Sequence, residues 1–311
     1  MRYAFLFPGQ GSQKVGMGTE FRRVSQEADK LYTTASAVLG YDIGELSATG
    51  PAETLAETRY TQPALYVAAC AALEALRGRV TVEPFAVAGH SVGEYAALYA
   101  ASAYSFEVGL RLVQRRADLM HEAASRKPGG MAAVLGLDAG VVQNCCERVR
   151  GNGIVAIANL NCPGQVVVSG EEAALTAVVE LLREAGAKRI VRLPVSGAFH
   201  SPLMVQAGDA LYSSLREAVI RDPDPPVVVN VAAEYCRAGQ DVAPFLTMQV
   251  SGTVRWEQSM RLLCSEGMEL AIELGVGNIL GGLMKRICPA VKVISVEDET
   301  TLKEAAGALA A

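Results

Sequence analysis

The sequence predicts an α/β protein, a mostly parallel sheet in a large unit with a smaller β-α-β-β-α-β unit inserted into it. Three observations predict this class. Short apolar runs of strand length alternate with longer stretches of helical period along most of the chain. Aromatic content is low, at 6%, while alanine, glycine and valine are plentiful, a mix that suits close packing of helices on a sheet. Between residues 128 and 196 the order of runs changes to β-α-β-β-α-β, the ferredoxin-like split unit. Breaker-rich stretches flank it, Lys127-Pro128-Gly129-Gly130 on one side and Pro194-Val195-Ser196-Gly197 on the other. The expected division is therefore 1–127 with 197–311 as the large unit and 128–196 as the insertion.

In order along the chain, residues 3–7 read as a buried strand ending at Pro8-Gly9, and 62–76 as a helix. Residues 85–88 form a second buried strand that runs into Gly89-His90-Ser91-Val92-Gly93, and helices follow at 94–101 and 106–124. Inside the insertion, strands are expected at 131–135, 154–159, 165–169 and 187–193, with helices at 139–149 and 171–185. Asn161-Cys162-Pro163-Gly164 supplies the turn between the two middle strands. Beyond the insertion, 201–218 and 256–264 read as helices and 227–231, 270–273 and 291–296 as strands, before an alanine-rich terminal helix.

Composition narrows the function. A chain of 311 residues, half of them hydrophobic, can bury a large core, and its net charge of −5 argues against a nucleic-acid binder. Seven cysteines, an odd number without a C-x-x-C pair, predict free buried thiols rather than a disulfide frame or a zinc site. No run reaches the roughly eighteen apolar residues of a membrane span. The first residues read as a strand rather than a signal peptide, so the cytoplasm is the expected location. Gly9-x-Gly11-x-x-Lys14 lacks the third glycine of a dinucleotide fingerprint and the G-K-[ST] of a P-loop, and both readings are rejected.

Gly89-x-Ser91-x-Gly93 lies between a buried strand and a helix, the context that a nucleophile elbow requires. The serine must sit on a tight turn so that its hydroxyl projects from the sheet. Its neighbours must be small so that the helix can approach, and the helix N-terminus then offers N–H groups to a developing oxyanion. A serine hydroxyl needs a base. Of three histidines, His90 adjoins the serine and points elsewhere, and His121 sits on a helix beside Glu122. His200 lies in Ser196-Gly197-Ala198-Phe199-His200-Ser201-Pro202, a loop between a strand and a helix, and is the candidate base. No acid stands out as a third member, and the histidine comes earlier than in ordinary α/β-hydrolases.

Together, Phe7-Pro8-Gly9-Gln10-Gly11-Ser12-Gln13, Gly89-His90-Ser91-Val92-Gly93-Glu94 and Gly197-Ala198-Phe199-His200-Ser201 resemble malonyl-CoA:acyl carrier protein transacylases and the acyltransferase domains of polyketide and fatty acid synthases. Asn159-x-x-x-x-x-Gln165 and Gly275-x-Gly277 extend the likeness over nearly the whole chain. The resemblance implies an α/β-hydrolase-like large subdomain and a ferredoxin-like small one. It implies that Ser91 carries the acyl group, that His200 is base and then acid, and that Gln10 and the Val92 N–H form the oxyanion hole. It also implies an arginine for the malonyl carboxylate within Arg115-Arg116-Ala117-Asp118. Arg116 is chosen because Leu112, Leu119 and Met120 are its helical neighbours, whereas Arg115 faces Arg111 and Asp118. A loop containing Gln249 is expected to orient His200 by a backbone carbonyl, which accounts for the missing acid. Phe199 beside His200 matches members that select malonyl over methylmalonyl, and Asn159 is a further supporting residue.

The implied reaction moves malonyl from malonyl-CoA to the phosphopantetheine thiol of an acyl carrier protein through a malonyl-serine, with no tightly bound cofactor and no metal. The rivals are a hydrolase that clears acyl groups from carriers, a discrete polyketide acyltransferase with another extender unit, and a non-catalytic docking module. A monomer is expected, as is transient docking of an acidic carrier on a basic patch, for which Arg183, Lys188, Arg189 and Arg192 are candidates.

Overall fold

A computed structural model describes residues 1–310. Its strands are β1 (Tyr3–Phe7), β2 (Ala86–Gly89), β3 (Gly129–Leu135), β4 (Val155–Cys162), β5 (Gln165–Glu171), β6 (Arg189–Arg192), β7 (Val227–Val229), β8 (Glu234–Cys236), β9 (Leu270–Leu274) and β10 (Lys292–Val296). They form two sheets among the described residues, in the orders β10-β9-β1-β2-β7-β8 and β4-β5-β3-β6. The first is parallel apart from the β7–β8 pair.

β1 shows why this sheet is a middle layer. Phe5 and Phe7 join one apolar cluster and Ala4 and Leu6 another, so alternate residues are buried on opposite faces. β2 and β9 divide in the same way, Val87 and Ile272 against Ala88 and Ala271. The second sheet is antiparallel throughout, with the helices Ala139–Arg148 and Glu172–Glu184 supplying Val142, Leu175 and Val178 to a separate core with Ala132 and Val134. From its other face Met131 and Val167 pack into the large core. The small sheet therefore backs onto the large unit.

Several elements lie where no element was expected. Residues 19–56 hold the helices Thr19–Val24, Gln26–Leu39, Ile43–Thr49 and Ala52–Ala56. Two of the four carry a local side-chain cap, where the Ser25 side chain accepts from Ala28 N–H and that of Asp42 from Glu45 N–H, while Thr19–Val24 and Ala52–Ala56 have none. The expected helix at 201–218 divides into a 3₁₀ turn, Pro202–Met204, and the helix Val205–Glu217. β8 was unforeseen. So was the helix Gly239–Ser251, which places Gln249 in a last helical turn and not in the expected loop.

Main chain packs directly on main chain at the strand–helix turn after β2. A Cβ on Gly89 would fall 2.0 Å from the Gly93 carbonyl carbon, and one on Gly93 would fall 2.2 Å from the Phe7 carbonyl oxygen. The helix Gly93–Ala100 thus rests on the end of β1 with no room for a side chain. Gly93→Ala is expected to cost about 3 kcal/mol in urea denaturation, at the upper end of ordinary overpacking. A loss below about 1 kcal/mol would mean that the helix can retreat freely.

Candidate active site

The turn that follows β2 is held from three sides. His90 N–H donates to the Phe7 carbonyl and Gly93 N–H to the His90 carbonyl, both at 2.9 Å. Ser91 adopts the left-handed conformation, φ 52°, that a bend this tight demands. Its N–H donates to Asn230 Oδ1 at 2.7 Å. Its hydroxyl projects into a small cavity of about 80 Å³. The wall is shared between the large unit, with Gln10, Gln62, His90, Met120, Phe199 and His200, and the small one, with Met131, Asn159, Leu193 and Val195. A space of this size admits a short acyl group and not a nucleotide.

The structure brings Ser91 and His200 together across 109 positions, with Oγ 2.7 Å from Nε2. His200 is 4% exposed and lies in a left-handed turn, φ 55°, pinned by Ser201 Oγ donating to the Ala198 carbonyl. Its Nδ1 lies 2.9 Å from the Gln249 carbonyl. A carbonyl can only accept, so Nδ1 carries the proton and Nε2 is bare toward Ser91. A main-chain carbonyl thus holds the place that a carboxylate fills in a Ser-His-Asp triad. Burial first, and then the Arg116 charge, pull the His200 pKa from its ordinary 6.5 down to about 3.

Arg116, on the helix Phe106–Arg126, is 1% exposed, whereas Arg115 beside it faces solvent. Its guanidinium donates to Gln62 Oε1 at 2.6 Å, Gln249 Oε1 at 3.0 Å and Ser91 Oγ at 3.1 Å. The Tyr95 ring lies beside it, with Cζ 5.8 Å from the ring centroid. Its Nε finds no partner, and no carboxylate among the described residues is within salt-bridge distance of it. The buried cation therefore meets only neutral acceptors, an arrangement that is costly unless an anion completes it. The other buried charge nearby is Glu94, which burial raises to about 7 and whose Oε2 accepts from Asn230 N–H.

Other residues singled out by sequence fall around this centre. Gln10 lines the cavity and spends one of its amide N–H groups on Thr58 Oγ1 at 3.2 Å. Val92 is buried at the mouth of the helix, and its N–H has no backbone acceptor among the described residues. Phe199 packs beside His200, and Asn159 reaches the cavity from β4. Besides offering its carbonyl to His200 and Oε1 to Arg116, Gln249 donates Nε2 to the Ser91 carbonyl at 2.9 Å. His90 turns away, its Nε2 2.9 Å from Asn161 Oδ1 and its ring against Trp256. The candidate docking cations are exposed, and Arg192 directly precedes Leu193 of the cavity wall. Arg183 pairs with Glu180 at 2.5 Å and Arg192 with Glu172 at 2.7 Å, leaving Lys188 and Arg189 outside these pairs.

Gln62, Glu94 and Asn230 were not foreseen as site residues. Gln62 opens an alanine-rich helical run and Asn230 falls within the expected strand at 227–231, and neither carries a local motif. Glu94, directly after the elbow, was a signal within reach, because a carboxylate in the first turn there must be buried with it.

The acyl transferase domain family matches residues 4–277. The chain is 41% identical over 303 residues to the malonyl CoA-acyl carrier protein transacylase of Bacillus subtilis, covering 97% of this chain and 95% of that one. It is 36% identical over 304 residues to the protein of the same name from Escherichia coli K12, with 98% of each covered. An acyl-carrier-protein S-malonyltransferase structure from Burkholderia pseudomallei superposes with a TM-score of 0.95 at 40% identity, over 99% of this chain and 100% of that one. A malonyl-transacylase solved in complex with a type II PKS acyl-carrier protein superposes at 0.96 with 35% identity, over 99% and 100%. The α/β class and the antiparallel subdomain read from sequence agree with these structures.

With its pKa held near 3, His200 is expected to remain neutral through the physiological range. An NMR titration of the imidazole should show its ring signals unmoved between pH 8 and 5, and a midpoint near 6.5 would contradict the site geometry. The same depression makes this group's stability contribution complete above about pH 6.5 and lost as pH falls toward 3, because the unfolded state then binds a proton that the native site refuses.

Proposed function

This chain belongs to the acyl transferase domain family, and from that premise we propose that it moves a malonyl group from malonyl-CoA to the phosphopantetheine thiol of an acyl carrier protein. It is an acyltransferase, serving fatty acid or polyketide synthesis. The observation that carries the substrate class is Arg116, a buried guanidinium 3.1 Å from the Ser91 hydroxyl with no carboxylate of its own. An acyl group esterified to Ser91 and ending in a carboxylate supplies the missing anion, and the planar guanidinium suits it.

The reaction runs in two halves. Nε2 of His200 takes the proton of Ser91 Oγ as Oγ attacks the thioester carbonyl carbon. The oxyanion is met by the Val92 N–H and by Gln10 Nε2, donors worth roughly 3 kcal/mol each where such groups have been removed. Collapse breaks the C–S bond, and His200 returns the proton to the departing coenzyme A thiolate. The carrier's thiol then enters and gives its proton to the same Nε2. It attacks the malonyl-serine carbonyl, and Oγ leaves and is reprotonated. Electrons and protons balance within these groups, so the cycle as drawn calls for no tightly bound cofactor.

Gln249 orients three participants at once, through its carbonyl to His200, its Oε1 to Arg116 and its Nε2 to the Ser91 carbonyl. Phe199 and Asn159 both line the cavity, and the Phe199 ring beside His200 would crowd an α-methyl branch on the acyl group. The carrier is a transient, acidic partner, and the enzyme acts as a monomer in the cytoplasm. Among the described residues no helix is long and apolar enough to cross a membrane.

Ser91→Ala is expected to abolish the malonyl adduct seen by intact-mass spectrometry after incubation with malonyl-CoA. An adduct that persists would move the nucleophile elsewhere. Arg116→Ala is expected to lower malonyl transfer roughly 100-fold, the scale of an unpaired charged contact, and acetyl transfer far less. Equal loss of both activities, or release of free malonate as the main product without a carrier, would overturn the assignment.

A further inference from the structure

Strand ladder and helix both end at the elbow, which leaves main-chain groups without ladder or helical partners in a largely buried place. β2 stops at Gly89 and the helix begins at Gly93. The Gly89 carbonyl and the Ser91 N–H lie between them, outside both patterns. A buried main-chain group left unpaired is costly, so each needs a partner from elsewhere in the fold.

Asn230 supplies both. It directly follows β7, the strand next to β2, and is 0% exposed. Its Nδ2 donates to the Gly89 carbonyl and its Oδ1 accepts from the Ser91 N–H, each at 2.7 Å. Its own main chain is held in turn, since its N–H donates to Glu94 Oε2 at 2.7 Å and its carbonyl accepts from Arg255 N–H at 2.9 Å. The donor and acceptor of one carboxamide match the carbonyl and N–H on either side of the bend, and because they sit on two separate atoms they can serve both groups at once, which the single oxygen of a hydroxyl does less well.

Resting on the transfer reaction above, we propose that Asn230 is the positioning residue of the nucleophile: by bracing the main chain across Gly89 and Ser91, it keeps the left-handed bend that sets the Ser91 hydroxyl on Nε2 of His200. A second consequence concerns the oxyanion. With the Ser91 N–H committed to Asn230, the main-chain donor left facing the acyl oxygen is that of Val92. The clamp therefore also decides which N–H serves the reaction. Glu94 is part of the device because its carboxylate fixes the Asn230 main chain from within the helix that the elbow starts.

The test compares wild type with Asn230→Ala and Asn230→Asp. Two rates are measured on Ser91: the malonyl-CoA burst, and labelling by a fluorophosphonate, which reads hydroxyl alignment whatever the acyl donor. Asn230→Ala is expected to slow both roughly 100-fold, the scale of a misplaced reacting group, with the KM for malonyl-CoA within about threefold of wild type. Asn230→Asp still accepts from the Ser91 N–H, but can donate to the Gly89 carbonyl only when protonated. Buried beside the Glu94 carboxyl, with Arg116 and His200 across the bend, its carboxyl is raised into the working pH range. The ratio of its labelling rate to wild type is therefore expected to climb about tenfold from pH 8 to pH 6, a recovery that mere loss of packing does not give. An alanine variant within threefold of wild type, or an aspartate variant whose ratio is flat with pH, overturns the proposal, and the aspartate variant decides alone if alanine does not fold. A wild-type protein that fluorophosphonate labels but malonyl-CoA does not would sink the transfer reading, while the labelling ratios still judge Asn230.

Discussion

How near the helix Gly93–Ala100 can come to the ends of β1 and β2 governs everything built at the site. Two positions without a Cβ, Gly89 and Gly93, let main chain touch main chain where a methyl group would sit about 2 Å from a carbonyl. The chain can make that approach only by bending through a left-handed residue, and the residue at the bend is Ser91. A side chain at such a bend stands clear of strand and helix alike. Projection of the hydroxyl is therefore a by-product of packing. The strain is tolerated because the Phe7 carbonyl, Asn230 and Gln249 all hold the turn from outside it.

The charges around that hydroxyl form one coupled set. Arg116 is buried among neutral amides, His200 is kept neutral, and Glu94 is pushed up to about 7. Burial is the first cause in each case, and it acts in the direction that disfavours the ionised form. The guanidinium cannot escape by losing its proton, and with no carboxylate in salt-bridge contact the acid that acts on it is Glu94, itself shifted toward the neutral form. That cation beside the serine favours an alkoxide at Oγ and an anionic acyl group nearby. It also makes the neighbouring imidazole reluctant to hold a proton. Under the proposed reaction, selectivity for a negatively charged acyl group and the neutral state of His200 would thus have a common source.

Gln249 shows how tertiary contacts replace a missing residue type. No acid backs the histidine, yet the tautomer is set, because a helix-terminal carbonyl is an acceptor with no alternative role. The same residue reaches both the guanidinium and the serine carbonyl. One helix end therefore touches the His200 imidazole, the Arg116 guanidinium and the Ser91 main chain, three contacts that a single carboxylate behind the histidine could not make.

What the sequence determined by itself was whatever depends on neighbours along the chain. The alternation of apolar runs predicted the strands from β1 to β10 apart from β8, although β3 opens two residues early, on Gly129 and Gly130 of the expected breaker stretch, and Gly89-x-Ser91-x-Gly93 announced a bend with a serine on it. Arg116 could be told from Arg115 because helical spacing already separates an apolar face from a wet one. The helices of residues 19–56 are short or weakly striped, and only two of them carry a side-chain cap. Gln249 was placed in a loop by the resemblance alone, and it lies instead in the last turn of a helix that contains Pro244. Only the tertiary structure decided which distant groups meet: Gln62 and Gln249 on the guanidinium, Asn230 across the elbow, and a carbonyl behind His200. Amides have no period and no motif, and their partners are chosen by where strands and helices end in space, so nothing local in the chain records the pairing.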